Sequence, residues 1–185
     1  LNASKTEDAA EVQMKKAAEL ELKQEMNKKN QSSYNENDVP QSLDEYIEIA
    51  QNYEKAFNFS SAIVYYKKAL TYKSDEMYKL KEPVIYTKLA ICCKKIQDAD
   101  TAVKYYEKVY ELYLKESPEK AAAVLLSIAQ IYSENYKFDK AKEVYDRILY
   151  SPAPVSDKMK IKVYLDLSEI EDSNLNAQSA AKYAK

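Results

Sequence analysis

An all-α fold follows from three observations on this 185-residue chain. It contains no glycine, and strand-rich folds and phosphate-cradling loops both depend on glycine for tight turns or close backbone approach. Its apolar residues fall at helical spacing, as in Tyr46, Ile49, Ala50 and Tyr53 followed by Ala62, Tyr66 and Ala69. That arrangement then returns along the chain, so the helices come in pairs.

The return is clearest at the alanine opening each second helix: Ala62, Ala102, Ala141 and, at the same spacing, Ala180, in steps of 40, 39 and 39 residues. Tyr66, Tyr106 and Tyr145 follow the first three alanines by four residues, and Ala69, Val109 and Ile148 by seven. Twelve residues upstream stand Ala50, Ala90, Ala129 and Ser168, each directly after an aliphatic residue. Small residues at these points let helix backbones approach closely, and the tyrosines reach across with a buried ring and a wet hydroxyl.

Taken in order, residues 1–30 are charged and alanine-rich, with Val12, Ala18, Leu22 and Met26 only roughly on one stripe, and predict a helical extension. Residues 31–41 predict a linker. Ser42 with Glu45 three residues on reads as a capping box. The first pair occupies about 42–82; its second helix is expected to run past Tyr72, towards Leu80, with Pro83 in the first turn of the next helix. The second pair occupies about 83–116, with Asp98 at its inner turn. Ser117 and Pro118 supply a cap and a first-turn proline for the third, about 117–155. Pro152 and Pro154 break the chain before a divergent or truncated fourth unit, 156–185. A chain that begins at Leu1 and stops within such a unit is expected to be a segment of a longer protein.

The pattern resembles the tetratricopeptide repeat. Its opening is carried by Tyr46-Ile49-Ala50-Tyr53, by Tyr86-Leu89-Ala90-Cys93 and by Leu125-Ile128-Ala129-Tyr132. Alanine replaces the usual glycine, and the spacing exceeds the common period of about 34 residues. The resemblance implies a right-handed α-solenoid in which Tyr46, Ala50, Tyr53, Ala62, Tyr66, Ala90, Ala102, Tyr106, Ala129, Tyr132, Ala141 and Tyr145 are structural repeat positions. The longer period is similar to that of vesicle-fusion attachment proteins, motor light chains and spindle-orientation adaptors.

Catalytic and metal chemistry finds little support in the composition. There is no histidine, which removes the commonest general base and metal ligand. The adjacent Cys92 and Cys93 lack the spacing of a zinc site, and Cys93 replaces a repeat tyrosine, so a small buried side chain is expected there. No cofactor is expected. A net charge of −2 with a single arginine, Arg147, gives no electrostatic footprint for nucleic acid. The chain has no run of apolar residues long enough to span a membrane, and its first residues lack the charged-then-apolar order of a secretory signal, so a cytosolic location is expected.

What remains is surface. In the family, the first helix of each repeat lines a concave groove, and the resemblance places Gln51, Val84, Thr87, Lys88, Ile91, Lys94, Lys95 and Gln130 there. It places Lys162, Leu165, Asp166, Glu169 and Asp172 on the same face of the last unit. The family's carboxylate clamp for chaperone C-termini is missing, because its positions read Ile47, Gln51, Lys88, Ala123 and Ser127. The expected function is a non-enzymatic scaffold or adaptor in a multi-subunit cytoplasmic assembly of cytoskeletal, motor or ciliary type, holding a partner peptide or helix in the groove. The alternatives are a membrane-traffic adaptor and the docking arm of an enzyme whose catalytic domain lies elsewhere.

Overall fold

The computed structural model describes residues 40–151 and 155–183, and among them it contains seven α-helices and no strand. The expected extension over 1–30, most of the linker, and the Pro152–Pro154 corner lie outside the described residues. The chain divides into two compact units at Asp75 and Glu76.

The first unit is one helix pair, α1 (Leu43–Lys55) and α2 (Phe59–Ala69). Ser42 caps α1, its hydroxyl accepting the Glu45 amide at 3.2 Å, while the Glu45 carboxylate accepts the Gln41 amide at 2.8 Å. Asp44 and Glu45 in the first turn and Lys55 in the last complement the helix dipole. Leu43, Tyr46, Ile49 and Ala50 of α1 pack with Ala62, Ile63, Tyr66 and Ala69 of α2. Tyrosine fills the space between them: Tyr53 stacks on Tyr65, and the Tyr46 ring lies 5.2 Å from that of Tyr72. The Tyr72 hydroxyl donates to the Pro40 carbonyl at 3.2 Å, tying the end of this unit to its beginning.

The second unit holds α3 (Tyr78–Lys95), α4 (Ala99–Glu116), α5 (Pro118–Glu134), α6 (Phe138–Leu149) and α7 (Asp157–Tyr183). Each helix packs on the next, and α7 also reaches α5. Ala90, Ala102, Ala129 and Ala141 are fully buried, and Tyr106 and Tyr145 lie in the core as expected. Cys92 and Cys93 are buried too, and neither forms a disulfide.

Three expectations on element boundaries need correction. Helix α2 stops at Ala69, and α3 begins at Tyr78, so Pro83 sits inside a helix instead of in its first turn. Proline there removes one backbone hydrogen bond; its own carbonyl accepts the Thr87 hydroxyl at 2.8 Å. The longer period is therefore taken up by the connection over 70–77, by a longer α3 and by α4, which has 18 residues against 12 in α6. Finally, α7 runs unbroken through Ala180, so no turn there opens a second helix. Pro118 does occupy the first turn of α5, although the Ser117 side chain makes no capping hydrogen bond.

The inner turns of the three pairs are built alike without glycine. Phe57, Gln97 and Tyr136 all have positive φ, at 58°, 64° and 58°. In each turn two amides fold back onto the preceding helix; at the second, Gln97 donates to the Lys94 carbonyl and Asp98 to that of Cys93. This is the Schellman arrangement, which favours glycine at the left-handed position. Asn58 and Asp98 then cap the following helices, each accepting an amide at 3.1 Å.

Candidate protein-binding face

Helix α3 carries one face that its own packing leaves open. Val84 is 53% exposed, and Leu80 and Met77 continue the same stripe towards the helix start. Thr87, Lys88 and Ile91 are half-buried along it, and Lys95 is exposed at its far end. The spacing of Met77, Leu80 and Val84 was readable in the sequence, but the assumed break at Pro83 hid it.

The far end of this face is polar. Lys94 of α3 pairs with Glu134 of α5 at 2.7 Å. The half-buried Gln130 directs its amide to Asp166 of α7 at 3.4 Å. Asp166 is not presented on the surface, contrary to the expectation above. It is only 6% exposed, accepts the Tyr145 hydroxyl at 3.0 Å and pairs with Lys162 of its own helix. A buried carboxylate needs such partners. Burial, together with the Asp166 carboxylate it faces, pushes the Tyr145 phenol well above its ordinary range. The hydrogen bond to Asp166 likewise raises the Lys162 ammonium. Residues 130, 145 and 166 lie on three helices, and nothing in the repeat pattern joins them.

Among the other singled-out residues, Gln51 is half-buried on α1 in the first unit. Tyr53 and Tyr132, expected as repeat core, are half-buried: Tyr53 stacks on Tyr65 and Tyr132 lies under the Lys140 ammonium. The inner-turn edge of the second unit carries a further link between copies, Lys137 to Asp100 at 2.8 Å, and Lys137 holds the Asp100 carboxyl below the usual carboxylate range. A separate cleft of about 630 Å³ opens beside the C-terminal part of α4, with Ala121, Leu125 and Ile148 among its floor residues and Leu114, Tyr150 and Arg147 at its rim. Arg147 lies over the Tyr110 ring at 5.1 Å.

No described helix is long and apolar enough to cross a membrane. Among the described residues, no group of three or more acidic or cysteine side chains is placed to hold a metal ion.

Paired helices that repeat along the chain, with alanines at the crossings and a partly apolar first-helix face, define an α-solenoid of helix-turn-helix repeats. The chain belongs to the tetratricopeptide repeat family, whose model matches residues 46–76, 84–116 and 122–152. That family is a protein-interaction module, as the resemblance in the sequence implied. Solved structures agree on the fold. MamA superposes with a TM-score of 0.52 at 15% identity, over 87% of this chain and 81% of that one. The nearly identical TPR-like repeats of a Podosopora anserina protein assigned to the kinesin light chains give 0.58 at 16%, over 95% and 88%. BtubC (BKLC) from P. vanneervenii gives 0.53 at 17%, over 94% and 78%. At these identities the likeness is one of fold alone. No curated protein sequence matches the chain.

Proposed function

We propose that the chain is a non-enzymatic scaffold in a multi-subunit cytoplasmic assembly, and that α3 of the second unit holds a segment of a partner protein. The observation that carries this reading is the exposed apolar stripe of Leu80 and Val84 running into Ile91 and the lysines Lys88, Lys94 and Lys95. A core helix has no use for apolar side chains turned to water, whereas a partner's side chains can cover them. Lys95 makes no ion pair among the described residues, so an acidic residue in the segment would meet a cation there. Thr87 and Gln130 border the same path. Gln51 is a separate candidate on the first unit.

A cytoskeletal or motor setting draws support from the neighbours, since one of them bears a kinesin-light-chain name. The test is a pull-down from native extract with the chain and with a Lys88→Ala, Ile91→Ala, Lys95→Ala variant of unchanged helicity. A partner recovered by the first bait and lost from the second supports the reading, and its identity separates a motor assembly from membrane traffic. Identical recoveries by the two baits would remove the α3 face from consideration.

A further inference from the structure

Helix α7 is held differently from the helix that stands in the same place one copy earlier. Helix α5 buries seven side chains, all of them apolar, between Ala121 and Ile131. Among the described side chains of α7, three are buried: Val163, Asp166 and Ile170, on one face at helical spacing, with the carboxylate in the middle. Its open face, with Ile161, Tyr164, Leu165 and Ser168, is exposed. The polar links from α7 to its neighbours end on two carboxylates. Asp166 accepts the Tyr145 hydroxyl of α6 and the Gln130 amide of α5, and Glu171 pairs with Lys142 of α6. At the α4–α5 junction the same repeat positions hold Tyr106 and Ser127, each 39 residues earlier, and there a hydroxyl meets a hydroxyl. The α6–α7 junction has a charge where the preceding one is neutral.

We propose that α7 opens from α5 and α6 as one body while the rest of the second unit stays folded, and that Asp166 is the latch holding it closed. A buried carboxylate is stable only while all its donors are in place, so this junction does not loosen by degrees. Val163, Asp166 and Ile170 sit on one helix and leave together. Opening returns Asp166, Gln130 and the Tyr145 hydroxyl to water, which offsets part of the cost, whereas the apolar side chains of α5 would regain nothing. The Lys142–Glu171 pair is partly exposed and adds little to the hold. The second unit therefore has a closed form and an open form, and the open form presents a surface at Tyr145 and Gln130 that the closed form covers. The device is internal to the chain and independent of what the α3 face binds.

The test is amide hydrogen exchange of the full chain, read by mass spectrometry on peptides over 85–93, 124–131 and 163–170. Local opening shows as protection below that of the stretches that exchange only on unfolding. The expected protection over 163–170 is at least about tenfold lower than over 124–131. Two variants separate the latch from general stability. Tyr145→Phe, which removes one donor to Asp166, should lower protection over 163–170 by a further factor of about ten. Ile85→Val, a one-methylene deletion in the core of α3, should lower it over 85–93 and leave 163–170 as in the parent. Equal protection over 124–131 and 163–170 overturns the proposal, and is the result if residues outside the described ones cover α7. An Ile85→Val effect that reaches 163–170 in full overturns it as well, because α7 then leaves only when the unit unfolds. Protection over 163–170 that Tyr145→Phe leaves unchanged removes Asp166 as the latch.

Discussion

Tyr66 and Tyr145 occupy the same repeat position in the two units, four residues after the alanine that opens a second helix, and both rings are fully buried. Their hydroxyls end in different places. Tyr66 donates to Glu54, a half-buried carboxylate on the preceding helix of its own pair. Tyr145 donates to Asp166, a buried carboxylate on the helix that follows. The repeat sets the ring, and the neighbourhood sets the chemistry at its tip. In the first unit the Tyr66 hydroxyl joins the two helices of one pair; in the second the Asp166 carboxylate stitches α5, α6 and α7 together.

The harshest way to break the comparison is to remove the ring. Tyr145→Ala is expected to cost about 3–5 kcal/mol in urea denaturation, in line with buried aromatic truncations, and its loss should loosen α7 as well as α6. Next comes steric crowding at an alanine crossing. Ala129→Leu is expected to cost roughly 1–3 kcal/mol by overpacking, whereas Ser168→Leu, on the open face of α7, should stay within about 0.5 kcal/mol. Equal effects at the two positions would mean that α7 is covered as α5 is.

Removing only the hydroxyls sharpens the comparison. Tyr145→Phe leaves a buried carboxylate short of a donor and is expected to cost about 1–3 kcal/mol, whereas at Glu54, which water can reach, Tyr66→Phe should cost nearer about 0.5–1 kcal/mol. The alkaline limb of stability carries the same signature. Burial and Asp166 raise the folded-state phenol of Tyr145 above its unfolded value of about 10. Tyr145 therefore contributes stability that is fully present below about pH 10 and is lost as pH rises towards the folded value. Burial and Glu82 push Tyr78 up to about 12, with the same sign over pH 10 to 12. Unfolding followed from pH 9 to 12 should show a shallower decline in Tyr145→Phe than in the parent. The smallest effect is expected at the inner turns. Gln97→Gly relieves a left-handed backbone and should stabilise the chain by about 0.5–1 kcal/mol. Tyr136→Gly should gain less, because it also forfeits the edge-on contact with Phe138.

The helix pairs were legible because alanine and tyrosine recur at fixed offsets, and every alanine crossing from Ala50 to Ala141 is buried. The left-handed turns were not, since Phe57, Gln97 and Tyr136 share no side-chain chemistry and the usual glycine marker is missing. Proline misled the reading at Pro83, where burial and a hydroxyl contact hold a helix that local propensity would end. The Gln130, Tyr145 and Asp166 cluster was illegible for another reason. It joins residues from three helices, and offsets within one repeat carry no information on which polar tips converge.

The length of α4 limits how interchangeable the copies are. Its 18 residues outlast the 12 of α6, and the cleft at Leu114 and Tyr150 opens beside its final turns. Helix pairs that share a spacing but differ in length cannot be shuffled like beads on a string. A chimaera with α4 in place of α6 would carry its surplus turns into the segment that leads to α7, whereas one with α6 in place of α4 would lose the Leu114 wall of the cleft. The order of the copies is therefore part of the design, although each copy taken alone obeys the same rule.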